Sequence, residues 1–141
     1  MNSQPVVSDT SGFVSLANSS DSNHVRAKAV SVSIQEQHLS LIVPGEVITE
    51  TVNVLGKKIN HEMAERVGKS IIESSAFTII ETTPEIRKMA FKIFSKQPSS
   101  VSFTDCLVMA IADFYDTIRI FGYDDAFRKN GYLRIGVDDQ T

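Results

Sequence analysis

Short apolar runs alternate along this chain with longer stretches whose apolar residues recur every three or four positions. That switch in period predicts strands alternating with helices. Residues 5–8 (Pro-Val-Val-Ser) read as a brief strand arriving at Asp9. A helical turn starts at Gly12 and reaches Leu16, the polar residues 18–23 interrupt it, and a helix covers about 23–38. Residues 39–43 form a second strand, stopped by Pro44, whose fixed φ suits the start of a helix. Helices follow over 45–57 and 60–74. In the first of them Ile48, Val52, Leu55 and Ile59 fall at steps of four, three and four, a single apolar stripe. Residues 77–80 are a third strand. Thr83-Pro84-Glu85 places a cap, a proline and a first-turn acid in the order that starts a helix, which runs to about Lys96.

The next helix, 102–116, carries Phe103, Leu107, Ala110, Ile111 and Phe114 on one stripe and Val108, Met109 and Ala112 on the other side. A helix apolar nearly all round belongs in the centre of a fold. A fourth strand over 117–121, a short helix over 125–129 and an edge strand over 133–137 complete the pattern. The expectation is an α/β domain with a mostly parallel central sheet flanked by helices.

Length and composition narrow this further. At 141 residues with 42% hydrophobic content, the chain suits one ordered domain, residues 1–141, and neither tandem domains nor disorder. Its 14 Lys and Arg against 17 Asp and Glu give a net charge of −3. No global basic field exists to draw in nucleic acid, so such binding needs local positive charge or a metal ion. The lone cysteine, Cys106, excludes an internal disulfide and fits a reducing cytosol. The longest apolar run, 106–112, is far too short to span a membrane, and the first residues lack the basic and apolar parts of a secretory signal. The expectation is a cytoplasmic protein without a membrane partner.

In open α/β sheets the ligand site lies beyond the carboxyl ends of the strands. Asp9 ends the first predicted strand, Asp124 follows the fourth, Glu50 lies in the second turn of the helix after the second strand, and Asp105 lies in the first turn of the central helix. All four belong to one sheet edge. Carboxylates crowded together must take up protons or hold a cation. An oxygen-only donor set selects a hard ion, Mg²⁺ or Mn²⁺, over zinc. Each acid also has a plainer reading. Ser102 and Asp105 have capping-box spacing, Asp124 and Asp125 suit a loop and a helix cap, and Glu50 shares a polar face with Glu46, Asn53 and Lys57.

In order, these segments resemble the PIN domain, in particular the VapC-like toxin ribonucleases. Residues 6–11 (Val-Val-Ser-Asp-Thr-Ser) are similar to that family's first motif, and residues 47–52 around Glu50 to its second. Residues 102–112 are similar to its third and most specific motif, and residues 120–127, with Gly131-Tyr132 after them, to its closing strand and aspartate. The resemblance covers essentially the whole chain. It implies a three-layer PIN-like fold in which Asp9, Glu50, Asp105 and Asp124 hold one or two Mg²⁺ or Mn²⁺ ions. Asp9 and Asp105 would be the main direct ligands, and Thr10 and Ser11 would orient Asp9 or a phosphate by hydrogen bonds. The implied reaction is hydrolysis of RNA phosphodiester bonds by metal-activated water, in the toxin of a toxin–antitoxin pair. The implied partners are an RNA substrate, a small antitoxin protein and a second copy of the chain, the protein contacts involving helices within 45–74. Two positions depart from the family pattern: Gly122 stands where a Thr or Ser is common, and Cys106 where alanine is frequent.

Basic residues offer two sets of RNA-backbone contacts. Arg128 and Lys129 follow Asp124 closely. Lys57 with Lys58, and Arg87, Lys88, Lys92 and Lys96, read as solvated helix faces or a phosphate-contacting rim. His24, His38 and His61 have no ligand or triad spacing and read as surface residues. Nucleotide-binding glycine loops and a serine-hydrolase elbow are absent. Two other readings stay open: a PIN-like scaffold that binds RNA or protein without cutting, and a processing nuclease that is not a toxin.

Overall fold

Five short strands form the central sheet of the computed structural model, which describes residues 4–139. They are β1 (Val6–Ser8), β2 (Leu41–Pro44), β3 (Phe77–Ile80), β4 (Arg119–Phe121) and β5 (Leu133–Arg134), in the order β3-β2-β1-β4-β5. Every ladder among the described residues is parallel: Val7 lies opposite Ile42 on one side and Ile120 on the other. The chain first moves outward from β1 to β2 and β3, then crosses back to β4 on the other side of β1. The topological switch therefore falls between β1 and β4, whose carboxyl ends lead into Asp9 and Asp124.

The helices are α1 (Thr10–Ala17), α2 (His24–Glu36), α3 (Gly45–Lys58), α4 (His61–Glu73), α5 (Pro84–Phe94), α6 (Phe103–Phe114) and α7 (Asp125–Lys129). α1 packs on α2 and α3, and α3 on α4, while α5 pairs with α6 and α6 runs along β1. Right-handed crossovers assign α1 to α4 to one face of the sheet and the returning α5–α6 pair to the other, giving three layers. Cys106 through Ala112 are all buried, so α6 is the central helix that its all-round apolar character requires. Each fully buried aliphatic side chain there contributes about 1.5–3 kcal/mol, which pins the first turn of α6 and with it Asp105.

Several element ends differ from the sequence expectation (β2 spans Leu41–Pro44 rather than 39–43, and α6 ends at Phe114 rather than Asp116), and three others do so for a local polar reason. α1 starts at Thr10 rather than Gly12, because the Asp9 carboxylate caps it. β4 starts at Arg119 rather than Thr117, because the Thr117 hydroxyl donates to the Pro5 carbonyl at 2.6 Å and accepts from the Arg119 N–H at 3.1 Å. β5 ends at Arg134 rather than Val137. The Asp138 carboxylate accepts from the Arg134 N–H at 2.8 Å and from its guanidinium, and Gly136 turns the chain with φ 79°. No helix among the described residues is long and apolar enough to cross a membrane.

Candidate active site

A cleft of about 460 Å³ opens at the carboxyl edge of the sheet, and Asp9, Glu50, Asp105 and Asp124 all line it. Three of these acids occupy helix starts. Asp9 is the N-cap of α1, Asp124 is the N-cap of α7, and Asp105 closes a capping box with Ser102 at the start of α6. Helix amino ends favour negative charge, which partly offsets the repulsion among the carboxylates. Capping and a place on one shared cleft therefore coexist at each of these positions.

Each aspartate uses one oxygen on its own helix and keeps the other. Asp9 Oδ2 accepts from the Ser11 N–H at 3.2 Å and from the Ser11 hydroxyl at 2.7 Å. Asp9 Oδ1 is buried and without a hydrogen-bond partner. Asp105 Oδ2 accepts from the Ser102 N–H at 3.3 Å, and the Asp105 N–H donates to the Ser102 hydroxyl at 3.1 Å. Asp124 Oδ1 accepts from the Ala126 N–H at 2.9 Å. An unsatisfied buried carboxylate oxygen is costly, so its persistence at Asp9 marks a place where a donor or cation belongs.

The electrostatics point the same way. Asp9 is only 3% exposed, and its carboxyl is pushed up to about 7, mainly by burial and further by the charge of Asp105, against the opposing hydrogen bonds from Ser11. Asp105 is raised as well, first by burial and then by the charges of Asp124 and Glu50, while its bonds to Ser102 act in the lowering direction. Asp105 thus feels the charges of Asp124 and Glu50, and its own charge acts on Asp9.

The donor set suits a hard divalent cation: oxygen only, anionic, with one buried oxygen orphaned. Among the described residues no three His, Cys, Asp or Glu side chains are placed together so as to hold a metal ion. That is compatible with Mg²⁺, which binds through one or two carboxylates and keeps water or phosphate in its remaining positions.

Other residues find definite places. Ser11 ties two strand exits together, since its hydroxyl donates to Asp9 and accepts from the Tyr123 N–H at 3.0 Å. Thr10 is buried, and its hydroxyl has no partner. Arg128 and Lys129 are exposed and paired with Asp125, at 2.9 and 3.4 Å. Of the histidines, His38 and His61 are exposed, but His24 departs from the surface reading: its ring is half-buried and Nδ1 lies 2.9 Å from the Ser15 carbonyl. Cys106 is buried, its thiol pushed up to about 11 by burial and by the Asp105 charge, which leaves it unreactive at neutral pH.

Sequence reasoning missed Asp21, read Lys58 only as half of a basic pair, and noted Gly122 only as a departure from the family pattern. Asp21, in the polar 18–23 segment, accepts from the Ser15 hydroxyl and the Asn23 N–H and braces the turn beside the cleft. Lys58 lines the cleft with Glu50 and Val54. Their spacing of four and four was the available signal, whereas Glu46, grouped with Glu50 by sequence, is engaged instead by Thr82 and Arg87. Gly122 packs directly against Asp9: a Cβ there would lie 2.8 Å from Asp9 Cβ.

Comparison with known proteins identifies the fold and the family. The PIN domain profile matches residues 6–131. Among solved structures, Mycobacterium tuberculosis VapC20, a toxin that cleaves the sarcin–ricin loop, superposes with a TM-score of 0.84. The match covers 92% of this chain and 98% of that one at 20% sequence identity. A comparison with curated protein sequences finds no match. A profile that runs from β1 to just past α7, on a three-layer fold shared with a VapC toxin, leads to one conclusion: the chain belongs to the PIN domain family.

Proposed function

We propose that the chain is a divalent-metal-dependent endoribonuclease, the toxin of a toxin–antitoxin pair, working in the cytoplasm as a single domain over residues 1–141. The observation that carries this reading is the buried, unpartnered Oδ1 of Asp9 on a cleft shared with Glu50, Asp105 and Asp124. Asp9 and Asp105 would hold Mg²⁺ or Mn²⁺, with Glu50 and Asp124 completing the set directly or through water. The ion, when bound, supplies an activated water and offsets the charge that builds on a phosphodiester in the transition state.

The chain's own residues prepare that chemistry. Ser11 fixes the Asp9 carboxylate through Oδ2 and leaves Oδ1 without a partner. The capping box holds Asp105 by one oxygen, so its position is set by the rigid central helix rather than by a loop. Asp124 is oriented by its bond to Ala126. Arg128 and Lys129 would reach the RNA backbone by exchange from Asp125.

Protein partners have surfaces that support this reading. Phe91 and Phe94 on α5, outside the 45–74 helices that the family resemblance implies for protein contacts, are 58% and 40% exposed and pack around Phe103, with ring centroids at 4.4 and 5.6 Å, an apolar patch suited to a second copy of the chain. An apolar groove of about 310 Å³ between α1 and α4, lined by Phe13, Leu16, Val67, Ile71 and Phe77, suits a segment of a small antitoxin. A basic side chain from such a partner would satisfy the acidic cleft in place of a cation.

The deciding experiment is RNA cleavage by purified protein in Mg²⁺ or Mn²⁺, compared with chelator and with Asp105→Asn. Undiminished cleavage in chelator or by the variant would refute the proposal. A scaffold that binds without cutting has no use for divalent ions, so calorimetry separates it. Growth arrest on expression, relieved by a small co-encoded protein, separates a toxin from a processing enzyme.

A further inference from the structure

We propose that Lys58 binds a phosphate of the RNA backbone flanking the scissile bond, a role that rests on the nuclease reading above. Among the described residues Lys58 is the one lysine or arginine that lines the acidic cleft. It forms no ion pair there, whereas Arg128 and Lys129 are already held by Asp125. Its placement follows from helix geometry. Glu50, Val54 and Lys58 stand at successive steps of four on α3 and all line the cleft, while Lys57, one position earlier, does not.

A lysine kept unpaired beside five acids, Asp9, Asp21, Glu50, Asp105 and Asp124, is not there to neutralise one of them. A polyanion entering this cleft meets repulsion along its length, and a cation held at the acids offsets it only at one point. Eight residues at a rise of about 1.5 Å place Lys58 roughly 12 Å along the helix from Glu50, about two turns away. Its ammonium, a mobile point charge with three donors, therefore meets a neighbouring phosphate rather than the one undergoing attack. Lys57 and Lys58 both lie in the last turn of α3, where cations favour the helix dipole equally. Their difference isolates the cleft contribution.

The test compares Lys58→Gln, Lys58→Glu, Lys58→Arg and Lys57→Gln in the full chain, with a short mixed-sequence single-stranded RNA as substrate. For Lys58→Gln the expected result is a KM raised about fivefold, the size of one exposed charge contact, with kcat within about twofold. Lys58→Glu should raise KM further, Lys58→Arg should restore it, and Lys57→Gln should leave it unchanged. In an Asp105→Asn background, anisotropy should show the slope of log affinity against log salt reduced by about 0.7 on adding Lys58→Gln, the contribution of one single-strand phosphate. An unchanged KM for Lys58→Gln, an equal effect of Lys57→Gln, or a loss confined to kcat overturns the role of Lys58 while the nuclease reading stands. Wild-type protein that neither cleaves the RNA nor shifts its thermal midpoint with Mg²⁺ overturns both.

Discussion

Gly122 is pressed against Asp9: a Cβ built on Gly122 would lie 2.8 Å from Asp9 Cβ, 3.2 Å from Asp9 Oδ2 and 3.2 Å from the Phe127 ring. The glycine thus leaves the space in which the buried carboxylate sits, and the hydroxyl that a Ser or Thr would bring there has no room. The hydroxyl that reaches Asp9 comes from Ser11 instead.

Gly122→Ala should therefore cost about 1–3 kcal/mol of stability from overpacking. Because the displaced group is Asp9, cleavage should fall by about a hundredfold, the sensitivity expected of a misplaced reacting group. Urea unfolding and RNA cleavage assays measure the two effects, and a stable, fully active Gly122→Ala would contradict the packing argument.

The pH dependence of stability has a definite sign. Asp9 rises from 3.8 to about 7 on folding, so the native state binds the extra proton. Its contribution is fully present below about pH 4 and is lost as pH rises through about 7. The metal-free protein should lose stability across that window, and Asp105, raised as well, adds in the same direction. Asp138, lowered by Arg134, acts with the opposite sign only on acidification below its ordinary value. Thermal midpoints from pH 4 to 8 in chelator, normalised to Asp9→Asn, isolate the Asp9 contribution.

Asp9→Asn should remove RNA cleavage and raise the thermal midpoint of the metal-free protein at pH 8, since a buried charge is replaced by a neutral group that still accepts from Ser11. The gain should shrink as pH falls from 7 toward 4, because Asp9 is then protonated in the native state. A lowered midpoint at pH 8 would mean that Asp9 serves only to cap α1.

Divalent ions should reverse the alkaline loss. At a hundredfold excess over its dissociation constant, Mg²⁺ or Mn²⁺ stabilises by about 2.7 kcal/mol. The effect should shrink toward pH 5 as protons compete for the carboxylates. Differential scanning fluorimetry of wild type and Asp105→Asn measures it, and the variant should respond weakly or not at all.

Ser11→Ala removes the hydroxyl that donates to Asp9, the larger of the Ser11 contributions holding its carboxyl down, keeps the backbone N–H bond, and leaves the Tyr123 N–H without its acceptor. The expected outcome is a loss of about 1–3 kcal/mol in stability. The acidic limb of the pH–rate profile should also move to higher pH, because Asp9 then ionises later. A profile that keeps its acidic limb would show that Asp9 ionisation does not govern the rate.

The alternation of strands and helices, the central position of α6 and the placement of four acids on one sheet edge were all determined by the sequence alone. They rest on short-range physics: side-chain period, capping spacing and the rule that sites lie beyond strand carboxyl ends. Only the tertiary structure decided which carboxylate oxygen is left unpaired, that Gly122 packs on Asp9 and that Lys58 lines the cleft. All three depend on how strands, helices and loops from separate parts of the chain meet. Asp9 and Gly122, brought together by β1 and β4, are 113 positions apart. Local periodicity carries no information about such a contact, because it is created by the pairing of two strands and the space left between them.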